Sequence, residues 1–294
     1  MGYGTFKKEL LRLLQRKAKG TKVSVQKLEK NNGVVKEVLV FKGEKERMAP
    51  AIYLEEVYQR ICESGLSLET AAEELLERNE RQRLEDKAVP DCFENYQAAR
   101  RRVYYKLINY EMNRGLLDRI PHFPFLDLAV VFYYRIENGP LSGATMLIHN
   151  CNLEAWNINV SNLMEDAVMN TSRKMPYTLK GMDALIRELA EEGEETLPRA
   201  DELMYVLTNE EKYFGAATLL YPHVLSHIGK ILRQDFYVLP SSIHECILVP
   251  NRGQYSKEDL QQMVKDVNNS QVEEEEILSY QVYYYDREKE KLIL

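Results

Sequence analysis

Ser241, Ser242, His244, Glu245 and Cys246 put two hydroxyls, an imidazole, a carboxylate and a thiol within six residues. These are the groups of nucleophilic and acid–base catalysis. A hydroxyl or thiolate attacks, an imidazole moves the proton and a carboxylate orients it. Pro240 and Pro250 bracket the stretch, between the apolar runs Phe236 to Leu239 and Ile247 to Val249. Whether the groups converge depends on where one strand begins. A strand starting at Ile243 sends Glu245 to one face and His244 and Cys246 to the other. A strand starting at Cys246 leaves Ser241 to Glu245 in a turn, where they can meet one ligand. Pro240-Ser241-Ser242 is turn chemistry and suits either start. The competing reading is a hairpin whose serines bond the backbone and whose His and Glu pair with neighbours.

His223 and His227 stand at i, i+4, which places two imidazoles along one side of a helix. A zincin helix needs a Glu directly after the first His, and Val224 is there instead. A metal would need a third donor, from His244, Glu245 or Cys246. A serine hydrolase would need a nucleophile elbow, and no Gly-x-Ser-x-Gly occurs. A Cys–His pair using Cys246 or Cys151 stays open. The chain has no Gly-x-Gly-x-x-Gly and no P-loop, which argues against nucleotide hydrolysis and Rossmann-type cofactors. No cofactor is indicated. His122 and Asp127 flank the start of an apolar strand and are expected to pair there.

Charge is uneven. The net charge is −7, yet residues 1–50 hold 13 Lys+Arg against 5 Asp+Glu, a net of +8, leaving −15 for the rest. Lys7, Lys8, Arg12, Arg16 and, further on, Arg100, Arg101 and Arg102 are the cations that would meet nucleic acid or an acidic protein partner. The competing reading is a solvated helix face. Four scattered cysteines, with no Cys-x-x-Cys and no signal-peptide core, fit reduced thiols and a cytoplasmic protein. The longest charge-free run, Tyr213 to Gly229, is short for a spanning helix, so no membrane segment is expected.

The elements that must position these groups follow from periodicity. A helix from Phe6 to about Lys17, capped by Thr5, precedes a hairpin over Lys22 to Lys42 that turns at Asn31-Asn32-Gly33. Helices over Tyr53 to Ser64 and Leu68 to Arg83 complete an N-terminal unit, residues 1–84. A charged linker runs from Glu80 to Asp91, and the main domain is 93–294. It opens with a long helix, Phe93 to Arg114, and a loop, Leu116 to Phe125. Three strand–strand–helix units follow. The first has strands Leu126 to Ile136 and Ala144 to His149 and helix Val160 to Ser172. The second has strands Leu203 to Thr208 and Ala216 to Tyr221 and helix Pro222 to Arg233. The third has strands Phe236 to Leu239 and Glu245 to Val249 and helix Lys257 to Asn268. An extra helix covers Met182 to Ala190, and strand Ser279 to Asp286 closes the chain. The fold class is α+β, with a mixed or mainly antiparallel sheet.

Two stretches carry a resemblance. One is Pro121-His122 with Phe125 to Tyr133. The other is Leu239 to Glu245 followed by Met263 to Asn268. Together they resemble a domain-of-unknown-function family from anaerobic gut bacteria, over roughly Phe93 to Asp286. The resemblance implies a bacterial cytosolic protein, points to Ser241 to Glu245 and supplies no activity. The expectation is a non-catalytic binding or accessory module. The alternatives are a metal-assisted hydrolase using His223, His227, His244 and Glu245, and nucleic-acid binding through the basic residues.

Overall fold

Phe6, Leu10 and Leu14 recur at helical spacing, and in the computed structural model all three are fully buried on one side of helix α1, Tyr3–Lys17. The structure describes residues 1–18, 20–43, 51–85, 95–137, 142–189 and 202–294. Its contacts resolve into two compact units, Met1–Val89 with Asn138–Ser142, and Pro90–Glu137 with Gly143–Leu294.

In the first unit α1 packs on an antiparallel sheet of β1 (Thr21–Glu29), β2 (Val35–Gly43) and β3 (Ala51–Tyr53), in that order. The turn falls at Asn31–Gly33, where Asn32 (φ 60) and Gly33 (φ 71) take the left-handed region that Asn and Gly tolerate best. Helix α2 (Leu54–Ser64) packs on β2, and α3 (Leu68–Glu85) packs against α1 and α2. Leu54, Val57, Ala72 and Leu75 join Val23, Leu39 and Phe41 in one core. Thr5 does not cap α1. The helix starts three residues earlier than expected, with the Phe6 N–H bonded to Gly2 O at 3.0 Å. The charged stretch from Glu80 stays helical to Glu85, and the rest of the expected linker lies outside the described residues.

The second unit departs from expectation at its start. In place of a helix to Arg114 there is a single helical turn, α4 (Tyr96–Ala99), a 3₁₀ turn at Arg100–Arg102, and strand β4 (Val103–Asn109). Residues 93–94 of that expected helix lie outside the described residues. Val103, Tyr104, Tyr105, Leu107 and Ile108 are buried, and β-branched and aromatic residues suit a strand covered on both faces. After the short α5 (Arg114–Leu117), the expected loop contains β5 (His122–Phe125). Strand β6 (Leu128–Arg135) is buried from Leu128 to Tyr134, as its apolar residues on both parities required. It pairs with β4, β5 and β7 (Thr145–Leu147), all antiparallel. Helices α6 (Asn150–Trp156) and α7 (Val160–Lys174) follow, with Thr171 Oγ1 of α7 accepting the Tyr105 N–H at 3.2 Å.

The remaining strands form an antiparallel six-stranded sheet. Its members are β8 (Tyr177–Gly181), β9 (Tyr205–Asn209), β10 (Phe236–Leu239), β11 (Cys246–Pro250), β12 (Tyr283–Asp286) and β13 (Lys291–Ile293), in the order β13-β12-β10-β11-β9-β8. Helix α8 (Met182–Leu189) follows β8, α9 (Val224–Leu232) precedes β10, and α10 (Lys257–Ser270) follows β11 behind a Ser256–Asp259 capping box. The second strand–strand–helix unit does not form. Residues 215–220 are a 3₁₀ helix, and β9 takes β8 as its second neighbour. The fold is α+β with antiparallel sheets. Among the described residues no helix is long and apolar enough to cross a membrane.

Candidate functional site

Strand β11 begins at Cys246, so Ser241 to Glu245 form the connection from β10. The segment Glu276 to Ser279 lies along that connection. Ile243 N donates to Glu276 O at 2.9 Å, Leu278 N to Ser241 O at 3.0 Å and Ser279 N to Pro240 O at 2.9 Å. Ser242 bridges Ile277, so the backbone of this connection is paired with that segment. The Ser242 hydroxyl accepts the His244 N–H at 3.1 Å, the local serine turn that Ser242-Ile243-His244 favours.

His244 is engaged through Nδ1 and faces a carboxylate with Nε2. Its Nδ1 accepts the Phe214 N–H at 3.2 Å, which places the neutral ring's proton on Nε2, 3.5 Å from Glu276 Oε1. An imidazole with its lone pair already bonded has no acceptor left for a substrate proton or a serine hydroxyl. Among the described residues neither Ser241 nor Ser242 hydrogen-bonds to the ring. Cys246 is fully buried, and burial, with the nearby Glu245 carboxylate, pushes its thiol far above the ordinary range. It is therefore held as the protonated, unreactive form. Glu245 itself is half-exposed.

The partner of this turn is a loop that the sequence reading missed. Asn209, fully buried at the end of β9, clamps Tyr213 from both sides, donating to its carbonyl at 2.8 Å and accepting its N–H at 3.2 Å. Lys212 and Phe214 both sit in the left-handed region at φ 52. Phe214 stacks on His244, meets Tyr133 edge-on at 5.2 Å, and has the Lys106 ammonium 4.2 Å from its ring centroid. Thr208 Oγ1 donates to His244 O at 2.7 Å, and Ala216 N to Ile243 O at 3.2 Å. The signal for this turn was Phe214-Gly215, hidden by the apolar run after it.

His223 and His227 are both exposed. His223 is the N-cap of α9 in the left-handed region (φ 65), and its carbonyl accepts the His227 N–H at 2.9 Å. His244 is turned toward Phe214 and Glu276 and does not complete a metal set with them. Among the described residues no three His, Cys, Asp or Glu side chains are placed to hold a metal ion. His223 lines a surface hollow of about 300 Å³ together with Phe125, Leu220, Ser226, Tyr285 and Glu290. Glu290 is also left-handed, at φ 48.

The expected His122–Asp127 pair does not form. Asp127 accepts the Ser279 hydroxyl at 2.6 Å and the Tyr283 hydroxyl, and His122 Nδ1 lies 3.1 Å from Ile120 O. The basic residues divide sharply. Lys7 is paired with Glu37 at 2.7 Å, Arg100 with Asp166 at 2.8 Å, and Arg102 with Glu137 at 3.6 Å. Lys8, Arg12, Arg16 and Arg101 are exposed.

No curated protein and no solved structure matches the chain. One family model does, over residues 3–287, so the match extends beyond the stretches that carried the sequence resemblance and includes the N-terminal helix, hairpin and helix pair. The chain belongs to the family of unknown function DUF5688.

Proposed function

We propose that the chain is a non-catalytic binding module whose ligand seat is the hollow between the start of α9 and the β12–β13 hairpin. The observation that carries this reading is the commitment of His244. The densest group of reactive side chains is engaged in holding two loops together, whereas the hollow joins apolar side chains to polar ones, among them His223, Ser226 and Glu290. Two of those three stand on left-handed, non-glycine backbone, which costs free energy and tends to be retained where side-chain direction matters. A small ligand with an apolar body and a polar head fits that lining. Cys62 and Cys151, free and exposed, support a reducing, cytoplasmic setting of the bacterial kind that the sequence resemblance suggests.

Ligand-observed NMR with a set of aromatic and aliphatic fragments tests the seat. Leu225→Trp, which fills the hollow, should abolish the signals that wild type gives. In parallel, wild type and His244→Ala are assayed on chromogenic ester and phosphomonoester substrates. Hydrolysis by wild type that disappears in His244→Ala would overturn the non-catalytic reading. Fragment binding unaffected by Leu225→Trp would move the seat elsewhere.

A further inference from the structure

The fold sorts the basic residues of the N-terminal unit into two groups. Lys7 and Lys17 are spent inside it, on Glu37 at 2.7 Å and Glu73 at 2.5 Å. Lys8, Arg12 and Arg16 follow each other at four-residue steps along α1, on the side away from Phe6, Leu10 and Leu14, and all three are exposed. Each step rises about 6 Å along the helix, so the three charges make a ladder about 12 Å long. Lys8 and Arg16 have no ion pair among the described residues. Arg12 has one, with Glu9 at 3.7 Å, and the side chains of both are largely in water (82% and 48% exposed), where such a pair is weak and readily exchanged for another anion. Gln15 Nε2 donates to Val23 O at 3.1 Å, which fixes α1 beside β1 and brings the exposed Lys22 into the same neighbourhood.

We infer that this ladder is a docking surface for the phosphate backbone of a nucleic acid. Evenly stepped cations on a rigid helix match a partner whose negative charges are themselves evenly stepped. Lysine and arginine supply the charge-assisted donors that phosphate oxygens accept. No exposed aromatic side chain is interleaved with the ladder, since Tyr3 packs against Phe6 and Tyr58. Base stacking therefore adds nothing, and recognition is independent of sequence. Arg100 and Arg102, held by Asp166 and Glu137, take no part.

The test is fluorescence anisotropy of the full chain with a labelled DNA duplex and a labelled single strand, beside polyglutamate and anionic vesicles as other polyanions. With three phosphates neutralised, affinity should fall about 40-fold between 50 and 200 mM salt. The triple variant Lys8→Glu, Arg12→Glu, Arg16→Glu should lose binding while keeping the wild-type circular dichroism and melting curve, because all three side chains point to solvent. Lys265→Glu, an exposed charge on the other unit, should bind as wild type. Binding indifferent to the triple substitution or to salt, or confined to polyglutamate or vesicles, would overturn the inference. So would no binding at low salt.

Discussion

The imidazole of His244 lies on the ring of Phe214, 5.7 Å between centroids and 13° between planes, and its Nδ1 accepts the backbone N–H of that same residue at 3.2 Å. One side chain thus fixes both the ring and the backbone of a residue held at φ 52. His244→Ala removes both contacts. A buried N–H without its acceptor costs about 1–3 kcal/mol, and a lost aromatic contact about 0.5–1.5 kcal/mol. Urea denaturation should show a loss of about 1.5–4.5 kcal/mol. A loss below about 0.5 kcal/mol, the usual scale of an inconsequential surface change, would mean that the histidine does not hold the loop.

Gly215 sits where the two loops touch. A Cβ there would lie 2.0 Å from Thr208 Oγ1 and 2.3 Å from His244 O, the two atoms of a 2.7 Å hydrogen bond. Gly215→Ala must part that bond and push the turn off the 3₁₀ helix behind it. Its expected cost is at least that of His244→Ala, and a thermal melt within a degree or two of wild type would contradict the packing.

How much of this was legible in the residues follows from what holds each part. The helices α7 and α10 have apolar stripes and caps within a few residues of each other, and both were readable to within two residues. The hairpin at Asn31–Gly33 has its turn chemistry in the sequence. Strand β4 was not readable, because Val103, Tyr104, Leu107 and Ile108 also fall at helical spacing and only β6 alongside decides for a strand. The Asn209–Gly215 loop was hidden for a similar reason. Its fixing partners, Thr208 and His244, are 36 residues apart in the chain. The reactive stretch at 241–246 was found, but its role depended on Phe214 and Glu276, which no local pattern connects to it.

The thiols separate by burial. Cys62 and Cys151 are exposed, and Cys246 is fully buried with its thiol held protonated well above the ordinary range. Cys92 lies outside the described residues, so a Cys92→Ser background isolates the other three. In that background two thiols should react rapidly with Ellman's reagent at pH 8, and the third only after denaturant is added. Rapid reaction of all three in the native protein would place Cys246 in reach of solvent and reopen it as a nucleophile.

Alkaline pH should unfold the protein through its interior tyrosines. Burial raises the hydroxyls of Tyr105, Tyr133, Tyr221 and Tyr283 far above the ordinary phenol value, and for Tyr283 the Asp127 carboxylate adds to the effect. Below about pH 10 these groups are protonated in both the folded and unfolded chain, and the stability is complete. Above it the unfolded chain releases protons that the folded chain keeps. Stability then falls by about 1.4 kcal/mol per pH unit for each such tyrosine. Four of them together remove about 5–6 kcal/mol over one unit, comparable to the whole stability of many domains. Tyrosinate absorbance from the buried set should therefore appear only above the ordinary phenol range, in one step that coincides with loss of far-ultraviolet circular dichroism. All 19 tyrosines titrating together near pH 10 with the secondary structure intact would show that these hydroxyls are not sealed in the core.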